Sequence, residues 1–110
     1  MIKRAVFLGS SLADLRRFPA SVQQDLGRQI NRVQKGLEPL DFKPMSSVGA
    51  GVYEVRVRDL SGAFRVLYIS KLEEAVYVLH AFQKKTPKTA KTDIALAAQR
   101  YKDLIRELGR

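Results

Sequence analysis

Apolar and polar positions alternate with a period of two at the start of the chain and in its middle, and follow a helical period between and after those stretches. Residues 2–8 read as a strand, with Ile2, Arg4, Val6 and Leu8 on one face and Lys3, Ala5 and Phe7 on the other. Ser10 or Ser11 is placed to cap a short helix carrying Leu12, Leu15 and Phe18. Pro19 interrupts that helix, because proline has no N–H to donate. A second helix follows, with Val22, Leu26, Ile30 and Val33 as one apolar stripe and Gly36 as its stop. The two helices are expected to form an αα-hairpin. Residues 37–51, with Pro39, Pro44, Gly49 and Gly51, read as a loop. Strands are expected over residues 52–58, 63–70 and 75–83, joined by hairpin-sized connections. After the break at Pro87, a helix is expected over about residues 89–108, with Ile94, Ala97, Tyr101, Leu104 and Leu108 as its stripe. The order β-α-α-β-β-β-α predicts one α+β domain, residues 1–110, in which helices pack on one face of an antiparallel meander.

The alternation also predicts a register. If both hairpins use four-residue loops, Val57 faces Phe64, Val55 faces Val66 and Tyr53 faces Tyr68, all on one core face. The next pair of strands then matches Tyr68 with Tyr77, Val66 with Leu79 and Phe64 with Ala81. The opposite face aligns Arg56, Arg65 and His80 in a row across three strands, with Arg58 two residues along and Glu54 able to pair with one arginine. Arginines directly opposite on adjacent strands repel each other. An anion lying across them relieves that repulsion and accepts bidentate bonds from the guanidinium groups. Leu67, Ile69, Val76 and Val78 fall on the same face, so part of it is expected to be covered by the terminal helix.

Charge strengthens this picture. The 110 residues carry 20 Lys+Arg against 11 Asp+Glu, a formal charge of +9, which suits a nucleic acid or an acidic protein partner. Lys84, Lys85, Lys88 and Lys91 form a second basic cluster that runs into the last helix, where lysines oppose the helix dipole. There are no cysteines and one histidine, so disulfides, thiol chemistry and a cysteine or histidine metal cluster are excluded. Asp41, Glu54, Asp59, Glu73 and Glu74 are scattered and suggest no two-metal centre. No glycine-rich phosphate loop and no Ser/His/Asp set is present. No apolar run approaches the roughly 20 residues that span a bilayer, and the expected location is the cytoplasm. Neither metal nor cofactor is expected.

Three segments carry a resemblance. Residues 53–58 (Tyr-Glu-Val-Arg-Val-Arg), 64–68 (Phe-Arg-Val-Leu-Tyr) and 79–89 (from Leu79-His80 through Lys84-Lys85 to Thr89) resemble, in this order, RelE/ParE-superfamily toxins, and among them the HigB-like, phage-derived branch. The resemblance spans nearly the whole chain. It implies a RelE-like fold and the toxin half of a type II toxin–antitoxin pair. It further implies a metal-independent endoribonuclease that cuts mRNA on the ribosome, and an acidic antitoxin partner with a helix-turn-helix. By the same resemblance, Arg65 is expected to clamp the scissile phosphate and Lys85 to assist the transition state or leaving group. Arg56, Arg58, Lys84, Lys88 and Lys91 are expected to bind RNA. The stretch after Lys85, Thr86-Pro87-Lys88-Thr89, lacks the tyrosine or histidine that such enzymes use as general base. His80 is the nearest candidate. The alternatives are a ParE-like gyrase poison, which shares the fold without needing the phosphate clamp, and a non-catalytic basic nucleic-acid-binding module.

Overall fold

The computed structural model describes residues 2–110. Its elements are β1 (Ala5–Phe7), α1 (Ser11–Leu15), α2 (Ala20–Gln34), β2 (Phe42–Pro44), β3 (Val52–Asp59), β4 (Gly62–Ile69), β5 (Val76–Lys84) and α3 (Lys91–Glu107). The strands form one five-stranded sheet in the order β1-β5-β4-β3-β2. The meander β3-β4-β5 is antiparallel as expected, β2 adds to it antiparallel, and β1 joins β5 in parallel. An α+β architecture is thus present, with more sheet than the sequence pattern indicated.

The helical hairpin follows its pattern closely. Val22, Leu26, Ile30 and Val33 are all buried, and α2 ends where expected. Gly36 takes φ +82°, its N–H donates to the Val33 carbonyl, and the Leu37 N–H donates to that of Arg32. This left-handed stop closes the last orphan carbonyls of the helix. The first helix is shorter than its apolar spacing suggested. Phe18 lies outside it, yet still packs on Phe64 at 4.8 Å between ring centroids.

The β3–β4 register is the one expected: Val57↔Phe64, Arg56↔Arg65, Val55↔Val66 and Tyr53↔Tyr68. The β4–β5 register differs. Tyr68 faces Val78, Val66 faces Ala81 and Phe64 faces Gln83. The connection is longer than the assumed four residues, and an irregularity at Leu67/Tyr68 leaves Leu79 without a β4 partner. A bulge of this kind reverses the facing of every residue on one side of it. Val76 and Val78 therefore join the hairpin-side core with Ala81, while Tyr77, Leu79 and Phe82 turn to the other face. Arg100 of α3 secures the bulge by donating from Nη1 to the Leu79 carbonyl at 2.9 Å. Its guanidinium lies so close to Gly9 that a Cβ there would sit 2.6 Å from it.

The helices occupy both faces rather than one. α1 and α2 cover the first core, and α3 covers the second, where Ala97 and Leu104 are buried against Leu67, Ile69 and Leu79. The expectation that the terminal helix covers part of the arginine-bearing face holds. The expected loop over residues 37–51 contains β2, whose three residues, one of them proline, are too few to show an alternating pattern. The first strand is confined to Ala5–Phe7, within the expected 2–8.

Candidate nucleic-acid interface

The α3-side face of the sheet is apolar under the helix and charged beyond it. The charged part is organised by the sheet register, which sets Arg56 directly opposite Arg65. Each of these arginines has its own carboxylate. Arg56 donates from Nε and Nη2 to Asp41 Oδ1 at 3.0 and 2.8 Å, near the surface. Arg65 is only 5% exposed, and its Nε stands 3.4 Å from Oε1 of the wholly buried Glu54. Its Nη1 also donates to the Phe64 carbonyl at 3.1 Å. The cross-strand repulsion is therefore met first by protein carboxylates, and an anion is not required to hold the arginines together.

The cluster nevertheless remains strongly cationic. Arg58, Arg65, Lys84 and Lys85 line a groove of about 280 Å³ with Ala63, Thr86 and Pro87. Arg56, Arg58 and Arg65 line an adjoining recess of about 90 Å³ with Asp41 and Val57. Arg58 and Arg65 border both spaces, so five of the sequence-expected basic residues converge on one continuous site. Burial lowers the proton affinity of the Arg65 guanidinium, with Glu54 opposing that effect and Arg56 and Arg58 adding to it. The Lys84 ammonium is shifted down in the same way, first by desolvation and then by Arg65. Burial is the first cause of both shifts; the neighbouring cations add to it, and an anion in the groove would offset that added part. A planar guanidinium beside two lysines can hold a phosphate and offset charge that develops on it.

His80 is not in the arginine row. Arg65 faces Phe82, and His80 faces Leu67. This correction follows directly from the changed register. His80 is buried, stacks on Phe82 at 4.9 Å, and its Nε2 hydrogen-bonds Asp93 Oδ1 of α3 at 2.7 Å. With Phe18, Phe64, Phe82 and Gln83 it lines a separate cavity of about 550 Å³, which Lys85 also borders. Lys85 is thus the residue common to the histidine cavity and the arginine groove. Lys88 and Lys91 are exposed and border none of these three spaces. Tyr101 packs against the second core and donates its hydroxyl to the Ala50 carbonyl at 3.1 Å, in keeping with its place in the α3 stripe.

Four partners of the site were not identified from sequence: Asp41 for Arg56, Lys43 and Thr89 for Glu54, and Asp93 for His80. Lys43 sits on the short β2, where no alternation signals its facing, and Asp93 and Thr89 reach the sheet from a different layer. Among the described residues, no group of three or more His, Asp or Glu could hold a metal ion. No helix among them is long and apolar enough to cross a membrane.

Comparison with known proteins is consistent with this geometry. Residues 13–102 match the family described as phage derived protein Gp49-like. A solved structure of the E. coli toxin RelE, an arginine-to-alanine double mutant in the free state, superposes with a TM-score of 0.66 at 18% identity. The superposition covers 91% of this chain and 98% of the RelE chain, which establishes a shared fold over nearly the full length of both. No curated protein matches the chain.

Proposed function

We propose that this chain, which belongs to the phage derived protein Gp49-like family, is the toxin of a type II toxin–antitoxin pair. Its proposed activity is ribosome-dependent, metal-independent cleavage of mRNA, and its proposed branch is HigB-like. The observation that carries this reading is the convergence of Arg56, Arg58, Arg65, Lys84 and Lys85 on two adjoining recesses of one sheet face. The RelE-like fold supports it.

In this reading the 2′-hydroxyl of the RNA attacks the adjacent phosphorus. The new P–O bond closes a cyclic phosphate, the P–O5′ bond breaks, and the 5′-oxygen leaves as a hydroxyl after taking a proton. Arg65 clamps the phosphate and, with Arg58, offsets the charge of the five-coordinate transition state. Arg56 and Lys84 hold the flanking backbone, with Lys88 and Lys91 as outer contacts. Lys85 protonates or stabilises the leaving oxygen. His80 is the proton acceptor of the scheme, oriented by Asp93. Because His80 and Arg65 border different cavities, this role requires the RNA to pass across Lys85, which borders both. The proposed partner is an acidic antitoxin, which neutralises the toxin either by covering the basic face or by blocking ribosome entry from elsewhere.

The test is expression of the chain alone in a bacterial host, with mapping of new mRNA 5′ ends, beside Arg65→Ala and the exposed Arg58→Ala. Growth arrest with translation-dependent cuts, lost in both variants, is the expected result. Arrest without cuts identifies a ParE-like gyrase poison instead. Binding of RNA with neither arrest nor cuts identifies a plain nucleic-acid-binding module.

A further inference from the structure

Glu54 is a carboxylate with no access to solvent, placed in the middle of a sheet between apolar neighbours. Val52 on its own strand and Leu67 opposite it are both buried. Replacing a buried ion pair by apolar residues of similar volume is commonly neutral or stabilising, so fold stability alone gives no reason for a charge here. Three polar groups surround it: Arg65 Nε at 3.4 Å and Lys43 Nζ at 3.8 Å from Oε1, and the Thr89 hydroxyl, which donates to Oε2 at 3.3 Å. The Arg65 contact is an ion contact with slack in it. Neither Glu54 Oε1 nor Arg65 Nε has a hydrogen-bond partner among the described residues.

The arrangement has a direction. Arg65 borders both recesses of the basic site, and Glu54 borders neither. Glu54 is wholly buried and lines neither space, so it contacts Arg65 without taking up room in the groove. Contacts of this kind are often long in the free protein and tighten when substrate engages.

We propose that Glu54 is the positioning residue for Arg65: its buried carboxylate holds the Nε side of the guanidinium so that the group stays presented to a phosphate in the groove, and the Thr89 hydroxyl holds Glu54 in turn. The phosphate in this statement rests on the ribonuclease reading above; the hold on Arg65 does not. Thr89 lies in the segment between Lys85 and α3. The same hydrogen bond therefore links the guanidinium to the segment that carries Lys88.

The experiment compares the full-length protein with Glu54→Gln, which keeps the shape of the side chain and removes its charge. The first readout is the arginine Nε–H region of a ¹H–¹⁵N spectrum, with the Arg65 signal identified by its loss in Arg65→Lys. The expected result is a slowly exchanging Arg65 Nε–H in the native chain that is lost to fast exchange in Glu54→Gln. The second readout separates binding from cleavage. Removing the buried negative charge next to Arg65 leaves affinity for a single-stranded RNA oligonucleotide unchanged or up to about threefold tighter. Ribosome-dependent cleavage falls roughly 10- to 100-fold, because a misaligned clamp loses its grip on the transition state. An unchanged Nε–H signal with unchanged cleavage overturns the proposal, and so does a parallel fall in binding, cleavage and melting temperature, which marks a merely structural role. If the native chain does not cleave RNA, the ribonuclease reading falls and the Nε–H signal alone decides the role of Glu54. If Glu54→Gln does not fold, Thr89→Val is measured instead. A partial loss of Nε–H protection at native melting temperature supports the proposal, and full protection overturns it.

Discussion

On the sheet face under α1 and α2, Val55, Val57, Phe64, Val66 and Tyr68 meet Leu15, Val22, Leu26, Ile30 and Val33, and all of them are buried. On the face under α3, the sheet presents Leu67, Ile69, Tyr77 and Leu79 toward the helix, but Glu54, Arg56 and Arg65 beyond it. The first face is held mainly by apolar area, which is non-directional and tolerant of which neighbour supplies it. The second is held in part by specific pairs whose members come from different elements: Arg65 with Glu54, Arg56 with Asp41, His80 with Asp93. An area-driven face stabilises the fold without prescribing chemistry. A pair-driven face contributes less stability and fixes where charges sit, which is what a phosphate site needs.

The largest effect should come from breaking one buried pair. Arg65→Met leaves Glu54 buried without its main counter-charge, and breaking a buried pair on one side costs about 3–5 kcal/mol. Adding Glu54→Leu converts this part of the face to the rule of the other one. The double variant should recover that loss and end level with the native chain or up to about 4 kcal/mol above it. Urea unfolding measures both steps. A double variant no more stable than the single one would mean that the charges, and not only their pairing, support the fold. On the area-driven face, Leu26→Ala should cost about 2–5 kcal/mol through lost burial and the cavity left behind. The salt dependence of RNA binding should not change in that variant, because its charged face is intact.

The same contrast explains what the sequence made legible. The β3–β4 register could be read because Val55 and Val57 alternate with Glu54, Arg56 and Arg58, so a slip of one residue would bury charges in the first core. The β4–β5 register could not. Val76, Tyr77, Val78 and Leu79 are apolar on both faces, the alternation carries no information there, and the bulge at Leu79 leaves no sequence mark. The misplacement of His80 in the arginine row is a direct consequence. The convergence of the basic residues was legible for a related reason. Arg56, Arg58 and Arg65 sit on strands whose register was readable, Lys84 ends a strand and Lys85 directly follows it. Their counter-charges were harder to see. Only Glu54 shares that register; Asp41 comes from a loop, and Asp93 from a helix across the layer.

A smaller effect tests how α3 is held over its half of the face. The Tyr101 hydroxyl donates to the Ala50 carbonyl, and the ring packs against Gly49 so closely that a Cβ there would lie 2.6 Å away. Tyr101→Phe keeps the ring and removes one hydrogen bond, so it should cost about 1 kcal/mol in urea unfolding. Cleavage should be unaffected. Lost cleavage at near-native stability would place the hydroxyl in the reaction and break the division between the covered and the charged half.

The smallest effect concerns Lys84, at the rim of the groove. Desolvation and the nearby Arg65 hold its folded-state proton affinity below the ordinary value of 10.5. Between the lowered folded value and 10.5 the unfolded chain binds more protons at this side chain, so its contribution to stability rises with pH across that window. Below the window, at neutral pH, the charge is a full cost to the fold; above 10.5 the cost is gone. Lys84→Met should therefore raise the melting temperature slightly at pH 7, and the gain should shrink to nothing as pH passes 10.5. The difference between variant and native chain isolates the contribution of this one side chain. An RNA oligonucleotide at pH 7 should invert the order, raising the native chain's melting temperature more than the variant's, because the ligand supplies the counter-charge that the groove lacks. A gain that ignores both pH and RNA would come from packing of the methionine, and would remove Lys84 from the set of groups poised for an anion.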